Sequence, residues 1–170
     1  NLEYIGKSPS RFDFKKLANI SGQHIAHTEN ATLLHELEGY LAIIGEPALS
    51  DVQKATFLTG AYCVKVRAKT MGELFEKSSF MFDDRPLNLE KEAKLSLGLV
   101  SIGILNELTP QLQNVIWERE ALETLVGHIA QAHETKMGNL AGPLRAALSG
   151  RMASPSVFDM MLVLGRNETI

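Results

Sequence analysis

Residues 119–133, Arg-Glu-Ala-Leu-Glu-Thr-Leu-Val-Gly-His-Ile-Ala-Gln-Ala-His, decide the fold class. Leu122, Leu125, Val126, Ile129 and Ala130 recur at three- and four-residue intervals, the stripe of an amphipathic helix. Glu118, Glu120 and Glu123 stand near the end where the helix dipole is positive, which favours carboxylates there. Moving outward, the pattern repeats. Leu33, Leu34, Leu37, Leu41 and Ile44 form one stripe, and Val52, Ala55, Leu58, Ala61, Tyr62 and Val66 form another after Ser50, whose hydroxyl can cap the first free amides. Thr70 and Glu73 have capping-box spacing ahead of Leu74, Phe75 and Met81, a third helix that Asp84-Arg85-Pro86 ends. Asn88 is expected to cap a short helix through about Leu97, and Leu99 to Leu112 continues past the Thr109-Pro110 step to a turn anchored by Trp117. Gly150, after Leu140 to Ser149, and Gly165, after Pro155 to Leu164, sit where C-terminal caps belong, with Ser154-Pro155 as a cap and first-turn proline. No segment shows period-two alternation with hairpin turns, so the expected class is all-α, a helical bundle or cage.

Composition narrows the function. The chain has 170 residues, enough for one domain or two small ones, with 45% hydrophobic and 22% charged residues, values of a globular protein with a core. Gly45-Glu46-Pro47 is one expected seam, dividing a helical connecting segment, 1–45, from a main domain, 46–170; subdomains would split near 83–88 or at Trp117. Cys63 is the only cysteine, so neither an internal disulfide nor a multi-cysteine zinc site can form, and a reducing, cytoplasmic setting is expected. No apolar run reaches about 18 residues, so no membrane-spanning helix is expected. The chain starts at Asn1 rather than Met and reads as a piece of something larger.

Candidate chemistry is sparse. His24-Ile-Ala-His27 has a three-residue offset without the carboxylate of a His-Glu-x-x-His site, which favours surface or packing histidines over metal ligands. His128 and His133, five apart, do not share a helix face. Asp83-Asp84 and Glu118-Glu120 lie in exposed, charge-rich stretches, unlike the buried carboxylates of acid–base catalysis. No phosphate-cradling glycine loop and no nucleophile elbow occurs, so no catalytic residue is named. Net charge is -3, which excludes a uniformly basic nucleic-acid coat. Its distribution is uneven: residues 1–135 carry thirteen Lys plus Arg against eighteen Asp plus Glu, and residues 136–170 carry four against two. Lys136, Arg145, Arg151 and Arg166 fall among helix ends and glycine turns, where backbone amides can also meet phosphate oxygens; Lys65, Arg67 and Lys69 form a second cluster. Taken alone, both clusters fit ordinary solvated surface better than an RNA or phosphate site, because a balance of +2 is a weak field.

Read as a string, Lys136-Met-Gly-Asn-Leu-Ala-Gly-Pro143-Leu-Arg145-Ala-Ala-Leu-Ser149-Gly150-Arg-Met-Ala-Ser154-Pro155-Ser-Val157-Phe158, followed by Leu162-Val-Leu-Gly165-Arg166, closely resembles the C-terminal anticodon-binding domain of bacterial glutamyl-tRNA synthetases. Phe12-Asp-Phe-x-Lys-Leu17-x-Asn19-x-x-Gly22-x-x-Ile25 resembles the segment after the family's catalytic domain, and Arg67-x-Lys-Thr70-x-x-Glu73-Leu74 the start of its helical cage. Ser149 replaces the usual Thr and Asn167 the usual Glu. The resemblance implies that the intact enzyme is a glutamate–tRNA ligase using ATP and Mg2+, and that its partner is tRNA(Glu). The HIGH and Lys-Met-Ser-Lys-Ser signatures are absent, so this chain alone is expected to be inactive, to need no cofactor, and to bind tRNA as a monomer. An unpaired anticodon exposes base edges and faces, which a reader meets with forked donors, hydroxyl or backbone groups and a flat apolar contact. By resemblance, Arg145 supplies the fork, Ser154 and the turn at Pro155 reach an edge, and Val157 packs on a base; Arg67 is a second base reader. Lys136 and Arg151 are expected phosphate contacts, and Arg166 either joins them or favours its helix dipole. The rival readings are a helical protein-interaction domain binding through its acidic N-terminal part, and a stand-alone enzyme with an unrecognised site.

Overall fold

The computed structural model describes residues 13–170; Phe12 and the rest of residues 1–12 lie outside them. Every element among the described residues is helical: α1 Phe14–His27, α2 Asn30–Ile44, α3 Asp51–Lys65, α4 Met71–Phe82, α5 Lys91–Ser96, α6 Leu99–Leu112, α7 Arg119–Ala132, α8 Met137–Ser149 and α9 Val157–Thr169. The helix starts follow local chemistry. Asp13 accepts from the amides of Lys15 and Lys16 at 3.0 and 3.1 Å, opening α1. Ser50 and Gln53 close a reciprocal capping box on α3. Thr70 caps α4 through the Glu73 amide, but the Glu73 carboxylate reaches back to the amide of Lys69 rather than Thr70.

Helix α4 stops at Phe82 with Asp83 as its C-cap, directly before Asp84-Arg85-Pro86 as expected, but two other boundaries differ from the sequence reading. The next begins at Lys91, and Glu90 rather than Asn88 precedes it. There the Glu90 amide donates to the Gly150 carbonyl at 2.9 Å, so residues 88–90 run against the end of α8 instead of coiling. The last helix begins at Val157, with Ser156 as an N-cap that makes no side-chain bond, so Ser154-Pro155 belongs to the preceding turn. Gly165 (φ 72°, ψ 175°) breaks α9, and the chain then coils again to Thr169.

One hydrophobic cluster runs from Ile25 to Met161 and includes Leu33, Phe57, Leu74, Leu108, Leu122, Leu144 and Met160. Two helices organise it. Packed on α3 are α1, α2, α4 and α9, while α8 meets α4, α5, α6, α7 and α9. The α3–α9 approach is close: a Cβ on Gly60 would lie 2.6 Å from Val163 and from Met81. No described helix is long and apolar enough to cross a membrane.

Candidate nucleic-acid interface

Helix α8 and the turn after it hold most of the predicted site. Leu140, Leu144 and Leu148, four apart, turn one side of α8 into the core. Gly138, Ala141, Gly142 and Arg145 share another side, spaced i, i+3, i+4, i+7. Arg145 is half-buried there, and its guanidinium has no hydrogen-bond or ion-pair partner among the described residues. Gly150, in the left-handed region at φ 69°, ends the helix by donating to the Ala146 carbonyl. The chain then folds back over α8, where Met152 Cε lies 3.2 Å from the position of a Cβ on Gly142, one turn from Arg145.

Ser149 stitches this return. Its buried hydroxyl donates to the Arg145 carbonyl at 2.8 Å and accepts the Arg151 amide at 3.3 Å. Either serine or threonine supplies that hydroxyl, which explains why serine serves here. Ser154 is half-buried, with its hydroxyl donating to the Pro155 carbonyl at 3.3 Å, and Pro155 itself is buried. The first amides of α9 have no side-chain cap.

Three of the expected contact residues have partners within the protein or lie in the core. Val157 is 4% exposed and packed in the core, so its side chain has no face to offer a base. Arg151 lies 3.5 Å from Glu76 and 3.7 Å from Glu90, two exposed carboxylates that offset part of its charge. Arg166 donates to the carbonyls of Gln113 and Val115 and lies 5.4 Å over the Trp117 ring. Its guanidinium therefore fastens the turn after α6.

The remaining cations divide in the same way. Lys136, the exposed N-cap of α8, and Arg67, exposed after α3, make no side-chain hydrogen bond or ion pair among the described residues. Lys65 donates to the Thr28 carbonyl and to Asn30 Oδ1, and so ties the end of α1 to α3. Arg67 and Lys69 line a groove of about 250 Å3 whose other wall is Asn19, Gly22, Gln23 and His27 of α1. Gly22 allows this, because a Cβ there would meet the Ala68 carbonyl at 3.3 Å. Thus the structure joins two stretches that the sequence showed apart.

Sequence reasoning missed Asp159. Its carboxylate receives Arg119 from α7 and the Tyr62 hydroxyl from α3, the latter at 3.4 Å. A first-turn acid on α9 was legible; its partners, 40 and 97 residues away, were not. Elsewhere, His133 pairs with Glu107 at 2.8 Å, and His27 Nδ1 lies 2.7 Å from the Gln23 carbonyl. Among the described residues, no group of three or more His, Cys, Asp or Glu could hold a metal ion.

Residues 29–170 match the family model described as the anticodon binding domain. The chain is 55% identical over 170 residues to glutamate–tRNA ligase 2 of Ruegeria pomeroyi and 52% identical over 170 residues to glutamate–tRNA ligase 1 of Jannaschia sp.. Each alignment covers 100% of this chain and 36% of the relative, so the chain spans about a third of their length. A crystal structure of a glutamate tRNA ligase from Elizabethkingia meningosepticum superposes with a TM-score of 0.76 at 26% identity, over 100% of this chain and 33% of that one.

Proposed function

Because this chain belongs to the anticodon binding domain family, we propose that it is the tRNA-reading part of a glutamate–tRNA ligase, with tRNA(Glu) as its partner. In this reading Arg145 offers its planar fork to a base edge, while Ser154 and the uncapped amides of α9 supply the smaller donors. Lys136 meets phosphate, which positions the RNA without specifying it, and Arg67 is the second base reader, at the mouth of the α1 groove. Val157, Arg151 and Arg166 shape the site from behind. The observation that carries the reading is the division of the C-terminal cations: Arg151 and Arg166 have protein partners, while Arg145, near the end of α8, and Lys136, at its start, are left unpaired.

The whole protein would attach glutamate to tRNA in the cytoplasm as a monomer, using ATP and Mg2+ in parts outside this chain. Alone, the chain then forms no aminoacyl-adenylate, and ATP–pyrophosphate exchange above background would refute that. For the RNA site, Arg145→Ala is expected to weaken binding of the cognate anticodon stem-loop by about 1 to 3 kcal/mol, and a lysine replacement does not rescue it. Lys136→Ala should weaken every stem-loop alike and lower the salt slope by about one. Equal losses on cognate and base-swapped RNAs for Arg145→Ala would overturn base reading.

A further inference from the structure

The turn proposed to read the anticodon has no cap of its own. Ser156 makes no side-chain bond to the amides of α9, so the first turn of that helix is seated by Val157 and Met160 in the core but is not capped by a side chain. Its polar contacts come from other helices. Asp159, in the first turn of α9 and with a side chain only 16% exposed, takes Arg119 Nη2 from the start of α7 and the Tyr62 hydroxyl from α3. Arg119 also bonds Glu123 Oε1 at 3.4 Å, one turn along α7, so its guanidinium is aimed before Asp159 arrives. The same stretch grips α9 twice more: Trp117 Nε1 donates to the Met161 carbonyl at 3.1 Å, and Arg166 returns to the carbonyls of Gln113 and Val115. Residues 113–119 therefore hold α9 in its first and second turns and again after the break at Gly165.

Of these contacts, that at Asp159 lies nearest the RNA-facing turn. Rotation or sliding of the first turn of α9 would move the Val157 and Phe158 amides and residues 154–156 together, and base discrimination by hydrogen bonds fails with small displacements. We infer that Arg119, acting through Asp159 with Tyr62 as second holder, is a positioning residue for anticodon discrimination, although it touches no RNA itself. The inference rests on the proposed reading of the α8–α9 turn. It also assigns Asp159 a purpose at a place where a carboxylate would otherwise repel phosphate: paired with Arg119, it holds the helix without presenting a free negative charge.

The test is a double-mutant cycle with Arg119→Ala and Asp159→Asn, measuring affinity for the cognate and a base-swapped anticodon stem-loop, with melting temperature recorded on the same samples. Binding is measured well below the melting point of the weakest variant. Each single variant should lower the cognate preference about tenfold, the size of one misplaced hydrogen bond, while the base-swapped affinity stays near wild type. The double variant should lose no more than the worse single, and Arg119→Lys should recover part of the preference, because an ammonium can still reach Asp159. A merely structural pair would shift melting temperature and leave the preference unchanged, which overturns the inference. So would equal losses on both RNAs, the mark of a direct phosphate contact, or additive losses in the double variant. In that direct-contact case Asp159→Asn would strengthen binding by releasing Arg119. If the wild-type chain shows no preference between stem-loops, the reading of the turn fails and the inference falls with it; if it shows one that Arg119→Ala keeps, only the inference fails.

Discussion

Gly150 sits where α8 ends, and two separate demands meet at it. Its φ of 69° lies in the left-handed region, which costs an L-residue about 1 to 2 kcal/mol. A Cβ there would also lie 2.6 Å from the Asn88 carbonyl oxygen, a backbone atom that cannot rotate away, and moving it would stretch the 2.9 Å bond from the Glu90 amide to Gly150. Overpacking of that kind adds about 1 to 3 kcal/mol. Gly45 is a natural control, since it has φ 78° and nothing within 4 Å of a would-be Cβ, so it carries the first cost alone. Gly45→Ala should therefore lose about 1 kcal/mol and Gly150→Ala about 3 kcal/mol, or roughly 3 °C against 9 °C in melting temperature for a chain of this size. Urea titration followed by circular dichroism at the helical minimum reads both. Equal losses at the two positions would show that residues 88–90 do not press on the end of α8, and would remove the stated reason for the late start of α5.

Ser78 is fully buried and its hydroxyl has no hydrogen-bond partner among the described residues, so Ser78→Ala should be neutral or stabilising by up to about 1 kcal/mol; a loss larger than that in the same titration would mean the hydroxyl is satisfied. Burial, with help from the Asp159 charge, pushes the Cys63 thiol up to about 12, so a thiol reagent at neutral pH should leave the native chain untouched and modify it only after unfolding. The same shift makes a stability prediction: a raised thiol favours the protonated fold, so its contribution is complete below the ordinary thiol range, about 8.5, and is lost as pH climbs toward about 12. Cys63→Ala should flatten that part of the pH profile, and an unchanged slope would refute the assignment.

What the sequence determined unaided was local. The Ser50 and Thr70 caps, the stripe of α7, the stop at Gly150 and the all-helical class each depend on residues within about four positions of one another, so spacing and side-chain chemistry suffice to read them. Of the boundaries that went astray, that at Asn88 is set by a distant partner, since Gly150 holds the extended stretch before α5, whereas Ser154-Pro155 stays in the turn before α9. Availability was beyond the sequence altogether. Arg145, Arg151 and Arg166 look alike as letters, yet one is unpaired, one is held by two carboxylates, and one is bonded to carbonyls 51 and 53 residues away. Val157 shows the same thing for an apolar side chain, since its position in the motif says nothing about whether the core or the solvent receives it. A charge that the fold has paired is less available to a ligand, and a surface can stack on a base only if the core has not taken it; both are decided by contacts between elements far apart in the chain.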